Sequence, residues 1–391
     1  MTDSPLSLQL LCAAAAALGF FLFHWRFKSR VRIHCGPSPT ALHLQRHISS
    51  VSTSYTPPLF LLNGHFHTVF ASLYRLPPHV TYERQLITTS DGGTLSLDWL
   101  QHTHAPSAPV LLLLHGLTGG SHEPYMRSLA ARAKSIFRVV CLNMRGAASS
   151  SLTTARAFSA EVNSDVECAV EAVGIACPGA PIVAAGFSLG ANILFRYLGH
   201  RTSKQNTVLK PCRIKAAVSI CSPLDLQSTS DHLASSRVGR LWSRIMAKNL
   251  IRFWSKHALP AHPDDPASPL ALAYPDFLQR ASLVTSVYEF DRVFVCPMFG
   301  HANPEAYYAH ASSSRHLGAI ACPCLFISAD DDPITGGIGV DDARVAAVMH
   351  GVSVRAAAGG HCAFLKGWAG GGGSWADDVA VRFLEAAVEI S

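Results

Sequence analysis

From about residue 84 onward, two rhythms of apolar and polar positions alternate along the chain. Short aliphatic and β-branched runs read as strands, and longer segments between them repeat at helical spacing. RQLITTSDGGTLSLDWL (84–100) predicts a hairpin that turns at Asp91-Gly92-Gly93. VLLLL (110–114) is apolar throughout, as a strand covered on both faces would be. A helix over His122–Lys134, a strand at 137–144 and a helix over Ala160–Ala176 follow. Next come the strand PIVAAGF (181–187), a helix over Leu189–His200 and the strand IKAAVSICS (214–222). The rhythm resumes with CLFIS (324–328), a helix near 341–350, VSVRAA (352–357) and a last helix near 375–389. Strands alternating with helices predict an α/β fold with a mostly parallel sheet. Residues 224–317 lack clear strands and are too long for a plain loop, so they predict a helical cap inserted into the sheet.

Residues 4–25 contain no Lys, Arg, Asp or Glu. As a helix they would rise about 33 Å, enough for a hydrocarbon core of about 30 Å. Trp25 closes the run, and Arg26, Lys28, Arg30 and Arg32 follow. This predicts a transmembrane anchor at 4–25 and a single-pass membrane protein, with the following residues on the cytoplasmic side. An organellar transit peptide is the competing reading, because no acid occurs between Asp3 and Glu83. Residues 26–57 read as basic flank and linker; the stretch 36–60, rich in Pro, Ser and Thr without strong periodicity, reads as a linker or a surface-hugging arm. The body is then 58–391, with a loop tip at the glycine run 370–373.

Composition narrows the function. The formal net charge is +6, and +5 of it lies in residues 1–82. The rest is near neutrality, which argues against nucleic acid as a partner. The eleven cysteines include no CxxC pair, so zinc-ribbon and thioredoxin-like sites are not suggested, and free core thiols in a reducing compartment are. No cofactor and no metal site are expected, and the oligomeric state is not legible.

The chemistry concentrates at Gly186-Phe187-Ser188-Leu189-Gly190, a G-x-S-x-G pentapeptide between a predicted strand and a predicted helix. Its glycines allow a tight turn that lifts the serine hydroxyl clear of the sheet. A serine needs a base, and the base needs an acid to orient it. Gly359-Gly360-His361 directly follows one predicted strand, and Asp330-Asp331-Asp332-Pro333 follows another. Asp332, beside the proline at the loop tip, is the first choice of acid; Asp331 is second and Asp225 a more distant third. The turn His115–Gly120 follows the strand 110–114 and is placed to supply donors to an oxyanion, the candidates being the N–H groups of Leu117 and Leu189. His65 and His67 sit on a β-like stretch that would send them to opposite sides, which weighs against a shared zinc. Trp242, Phe253 and Trp254, near Arg240, Arg244, Lys248 and Arg252, read equally as a lid touching lipid or as cap core.

Several segments together carry a family resemblance: NGHFHT (63–68), HGLTGGS (115–121), NMRG (143–146), GFSLGAN (186–192), EFD (289–291), YY (307–308), ADDDP (329–333) and GGHCAFL (359–365). Over about 58–390 the chain resembles the membrane-anchored branch of the α/β-hydrolase-domain lipases, which holds acylglycerol lipases, phospholipases and medium-chain ester synthases. His67 stands where that family is expected to have Gln. The resemblance implies an α/β-hydrolase fold, a triad of Ser188, Asp332 and His361, and lipid or other acyl esters as substrates, cleaved through an acyl-enzyme. Transfer of the acyl group to an alcohol needs the same triad, so an ester synthase is the alternative. A membrane-tethered scaffold without activity is the third reading.

Overall fold

The computed structural model describes residues 31–53, 55–202, 212–259, 267–337, 347–367 and 373–390, with residues 19 and 344. Apart from residue 19, the expected anchor at 4–25 and its basic flank to residue 30 lie outside these, as do residues 341–343 and 345–346 of the helix expected near 341–350, whose residues 347–350 are turns and a bend. Among the described residues, no helix is long and apolar enough to cross a membrane.

The all-apolar run 110–114 forms β4 (Val110–Leu114), and all five residues are fully buried. A strand sends successive side chains to opposite faces. Val110, Leu112 and Leu114 therefore enter one apolar core, and Leu111 and Leu113 the other. The same split runs through β5 (Arg138–Asn143), β6 (Ile182–Phe187), β7 (Ile214–Ile220) and β8 (Cys324–Ala329). With β1 (Val31–Cys35), the hairpin β2 (Tyr82–Thr88) and β3 (Thr94–Leu100), and β9 (Gly351–Ala356), they make a nine-stranded sheet. Its order is β1-β9-β8-β7-β6-β4-β5-β3-β2. The six strands from β9 to β5 run parallel, and antiparallel strands cover both edges.

Residues 31–52 depart from the linker expected there. β1 pairs antiparallel with β9, from Val31 opposite Ala356 to Cys35 opposite Val352. Ser38 then caps α1 (Pro39–Ser52), accepting the Ala41 N–H, with Pro39 in the first turn. Ala41, Leu44 and Ile48 form a narrow buried stripe. Leu42 is exposed and the remaining positions are mostly polar, so composition hid its period. The stretch around His65 and His67 is also helical rather than β-like. Asn63 accepts the His65 N–H and opens α2 (Gly64–Tyr74).

One face of the sheet carries α3 (Pro124–Ala133), α1 and the C-terminal α9 (Trp375–Glu389), whose apolar side chains share the core of Leu111 and Leu113. The other carries α4 (Asn163–Ala176), α5 (Leu189–Thr202) and the segment between β7 and β8. In its described part that segment consists of helices joined by turns and loops, with no strand. It holds α6 (Leu226–Ser235), α7 (Arg237–Ala258), several short helices and α8 (Pro304–Ala311). Its two ends meet: Ser314 N–H donates to Leu224 O, and Leu226 N–H to Ser312 Oγ, each at 2.9 Å. Trp254 is buried at its centre, its ring 5.2 Å from those of Phe290 and Phe294. Phe253 is buried too, so these two are cap core. Trp242 instead donates its indole N–H to His65 Nδ1 at 2.8 Å, pinning α7 to α2.

Candidate active site

Ser188 stands between the end of β6 and the start of α5, with φ at 51°, a conformation that side chains rarely adopt. Its N–H donates to Ile220 O at the end of β7, which holds the turn against the sheet. A Cβ on Gly186 would lie 2.5 Å from Ala191 Cα, and one on Gly190 would lie 2.3 Å from His115 O. Larger residues at these two positions would push the serine off its strand. Both flanking glycines are therefore required by close approach.

The loops after β8 and β9 bring the acid and the imidazole to this turn. His361 Nε2 lies 2.9 Å from Ser188 Oγ. Its Nδ1 lies 2.8 and 3.0 Å from the two carboxylate oxygens of Asp332. With the ring proton on Nδ1, the imidazole donates to Asp332 and accepts from the serine hydroxyl. Burial opposes charging the ring, but the Asp332 carboxylate outweighs it and raises the imidazole above its ordinary 6.5. Burial would raise Asp332 as well, yet His361 and the N–H groups of Ile334 and Thr335 hold it below 3.8.

The three consecutive acids have three separate tasks. Asp330 pairs with Arg32 of β1 at 2.7 Å and with Arg355 of β9. Asp331 accepts the N–H groups of Gly359 and Gly360, each at 2.9 Å, so it shapes the loop that carries His361. Burial pushes its carboxyl up to about 6. Asp225 caps α6 by accepting the Ser228 N–H and does not contact the imidazole.

The oxyanion candidates Leu117 and Leu189 both border the cavity that opens on Ser188. Leu189 is the first residue of α5, so its N–H has no partner within the helix. His115 is buried away from the triad. Its Nδ1 lies 2.7 Å from Gly116 O, its Nε2 accepts the Met144 N–H, and burial lowers its pKa to about 4. It therefore stays neutral and ties the turn 115–120 to the end of β5.

Sequence reasoning passed over two positioning residues on α2. Thr68 Oγ1 accepts the His361 N–H at 2.8 Å and donates to Gly64 O. His67 is fully buried and its Nε2 accepts the Leu365 N–H at 3.0 Å, four residues beyond His361. The NGHFHT segment thus supports the histidine loop. Its only advance signal was its place in the family resemblance. NMRG is structural as well, since buried Arg145 pairs with Asp91 and Asp165, each at 2.7 Å.

The cavity lies between Ser188 and the cap. Phe158, Leu250, Trp254 and Phe290 are among its walls. Its polar contributions include Asp291 and Tyr308, whose hydroxyl donates to Asp291 Oδ2 at 2.7 Å. Burial raises the Asp291 carboxyl to about 7. A pocket of apolar walls with few polar groups suits a ligand with a hydrocarbon chain.

Comparison with known proteins agrees with this architecture. The family model described as alpha/beta hydrolase fold matches residues 109–367. Phospholipase ABHD3 of Mus musculus is 30% identical over 353 residues, covering 88% of this chain and 82% of that protein. The embryogenesis-associated protein EMB8 of Picea glauca is 30% identical, covering 88% and 74%. A monoacylglycerol lipase of Saccharomyces cerevisiae is 26% identical, covering 83% and 79%. With the sheet order, the serine turn and these matches in agreement, the chain belongs to the alpha/beta hydrolase family, in its lipase branch.

Proposed function

We propose that this protein is a carboxylesterase of lipids that works through an acyl-enzyme. The observation that carries the reading is the hydrogen-bonded row Ser188–His361–Asp332, whose serine borders an apolar cavity. His361 takes the Ser188 proton as Oγ attacks the ester carbonyl. Asp332 holds the imidazole in the required tautomer and stabilises its charged form. The Leu117 and Leu189 N–H groups receive the developing oxyanion. His361 then protonates the leaving alcohol, and a water activated by the same ring releases the acid. The names of two relatives, phospholipase and monoacylglycerol lipase, support lipid esters as the substrate class. One yeast relative, 27% identical, is named a medium-chain fatty acid ethyl ester synthase/esterase, so an alcohol is the natural competitor of water at the second step.

Residues 4–25 belong to this reading as a single-pass anchor that keeps the body at the cytoplasmic face of a membrane, near its substrates. Fractionation of the full chain beside one lacking residues 1–30 tests it. Only the full chain should stay with membranes at high salt; retention of the shorter chain would remove the anchor from the account.

The enzymatic test uses a fluorophosphonate probe and a series of acyl glycerol esters, with and without added ethanol. Wild-type protein should label and hydrolyse. Ser188→Ala should lose labelling and at least about 10⁴-fold in kcat while keeping its fold. Persistent labelling of Ser188→Ala would refute the assignment of the nucleophile. A folded wild type that never labels would leave the scaffold reading.

A further inference from the structure

Cys221 follows β7 directly, and Cys362 follows His361. The two cysteines are 141 positions apart in sequence, yet the Cys362 N–H donates to Cys221 Sγ at 3.3 Å. The thiols' contacts to backbone oxygens are long, Cys221 Sγ to Gly360 O at 3.8 Å and Cys362 Sγ to Ile220 O at 3.9 Å, and Cys362 Sγ also interacts with Cys221 and with the His361 ring. One ligand atom from each of Cys221, His361 and Cys362 lies within 4.8 Å of the other two. No disulfide joins the ten described cysteines.

We propose that Cys221, Cys362 and His361 form a binding site for a thiophilic divalent cation of the zinc class, and that its occupation switches the enzyme off. The switching half rests on the reading of His361 as the base. Two sulfurs and one imidazole nitrogen are the donor types that zinc selects. Zinc–sulfur bonds of about 2.3 Å place two tetrahedral sulfurs about 3.8 Å apart. The donors therefore need to close by no more than about 1 Å. On binding, each thiol releases its proton to solvent, and two thiolates with one dication leave a complex of zero net charge. Neutrality makes such a site tolerable in a buried setting, where an uncompensated charge would be costly. The imidazole is the switch. Either ring nitrogen that a metal takes is already used by the triad: Nε2 by the Ser188 hydroxyl and Nδ1 by Asp332, so occupation breaks one of the two hydrogen bonds that make the ring a base. CxxC spacing could not reveal this set, because the fold alone brings the two cysteines together.

The test is a titration of the reduced full chain with cadmium ion, followed by displacement with zinc ion. One equivalent should develop the ultraviolet charge-transfer band of cadmium thiolate. Cys221→Ala and Cys362→Ala should each remove most of the band, with folding checked by circular dichroism. In wild type, zinc should also protect Cys362 from alkylation, read by mass spectrometry without any variant. Fluorophosphonate labelling of Ser188 should fall at least 10-fold with metal and return on chelation. A band that survives in both variants, or no protection of Cys362, would overturn the site. A band with undiminished labelling would overturn the switch. A chain that never labels, yet shows the cysteine-dependent band, would keep the site and remove the esterase reading instead.

Discussion

Asp332 and its neighbours show how much chemistry turns on a single position. Asp331 and Asp332 are adjacent and both carboxylates, yet one faces the imidazole and the other faces two backbone N–H groups. Asp332→Asn should keep the fold and lower kcat by up to about 10⁴-fold, since it favours the wrong tautomer. The pH profile separates this effect from simple damage. The base works as the neutral ring, so activity falls as pH drops through the imidazole pKa. The Asp332 charge raises that pKa above 6.5, so the acid limb of the remaining activity should move to lower pH in Asp332→Asn. An unmoved limb would mean that the carboxylate does not act on the ring. The sequence placed the serine and histidine on the strength of their glycines. The choice among the acids rested on a proline, and only coordinates separate their tasks.

At the scale of the element, α2 matters most beyond the strand ends. It carries Thr68 and His67 into the histidine loop and stacks His65 on Trp242 of the cap, so it touches both halves of the site. Thr68→Val removes the acceptor of the His361 N–H. The expected result is a drop of about 10-fold in kcat with KM nearly unchanged, and a loss of about 1–2 kcal/mol in stability. Thr68→Ser should restore both, because it keeps the hydroxyl. Equal losses in the two variants would show that the methyl packing, not the hydrogen bond, is what counts. This helix was read as β-like although Phe66, Val69, Phe70, Leu73 and Tyr74 recur at helical spacing, because that apolar face is largely exposed and the buried face is carried by His67 and Thr68 instead. α1 was hidden for a related reason, its stripe being only three apolar residues wide. The central strands were legible because burial on both faces demands an unbroken apolar run.

Across the whole molecule, the sheet, its two cores and the helical insertion follow from pattern. What the pattern could not convey is pairing between distant segments, such as β1 with β9 or Cys221 with Cys362. The state of the cap interior is another such property, and it gives stability a pH dependence. In the unfolded chain Asp291 would ionise near 3.8, while in the fold burial holds its proton to about 7. Between these values the native state binds more protons, so this group's contribution makes stability fall as pH rises, and it levels off above about 7. Asp291→Asn, which cannot ionise, should therefore gain on the parent by an amount near zero at pH 4 and on the order of 4 kcal/mol at pH 8. Paired thermal melts across that range check it; a constant difference would mean the carboxyl is already ionised in the fold.

The cap starts and finishes at one hydrogen-bonded clasp, where Leu224 and Leu226 meet Ser312 and Ser314. A segment whose two ends sit side by side can be lengthened, shortened or swapped for another without asking the catalytic platform to shift. Substrate choice and bond-breaking machinery are thereby free to diversify at separate rates, with the clasp as the natural seam for grafting a foreign cap onto this body.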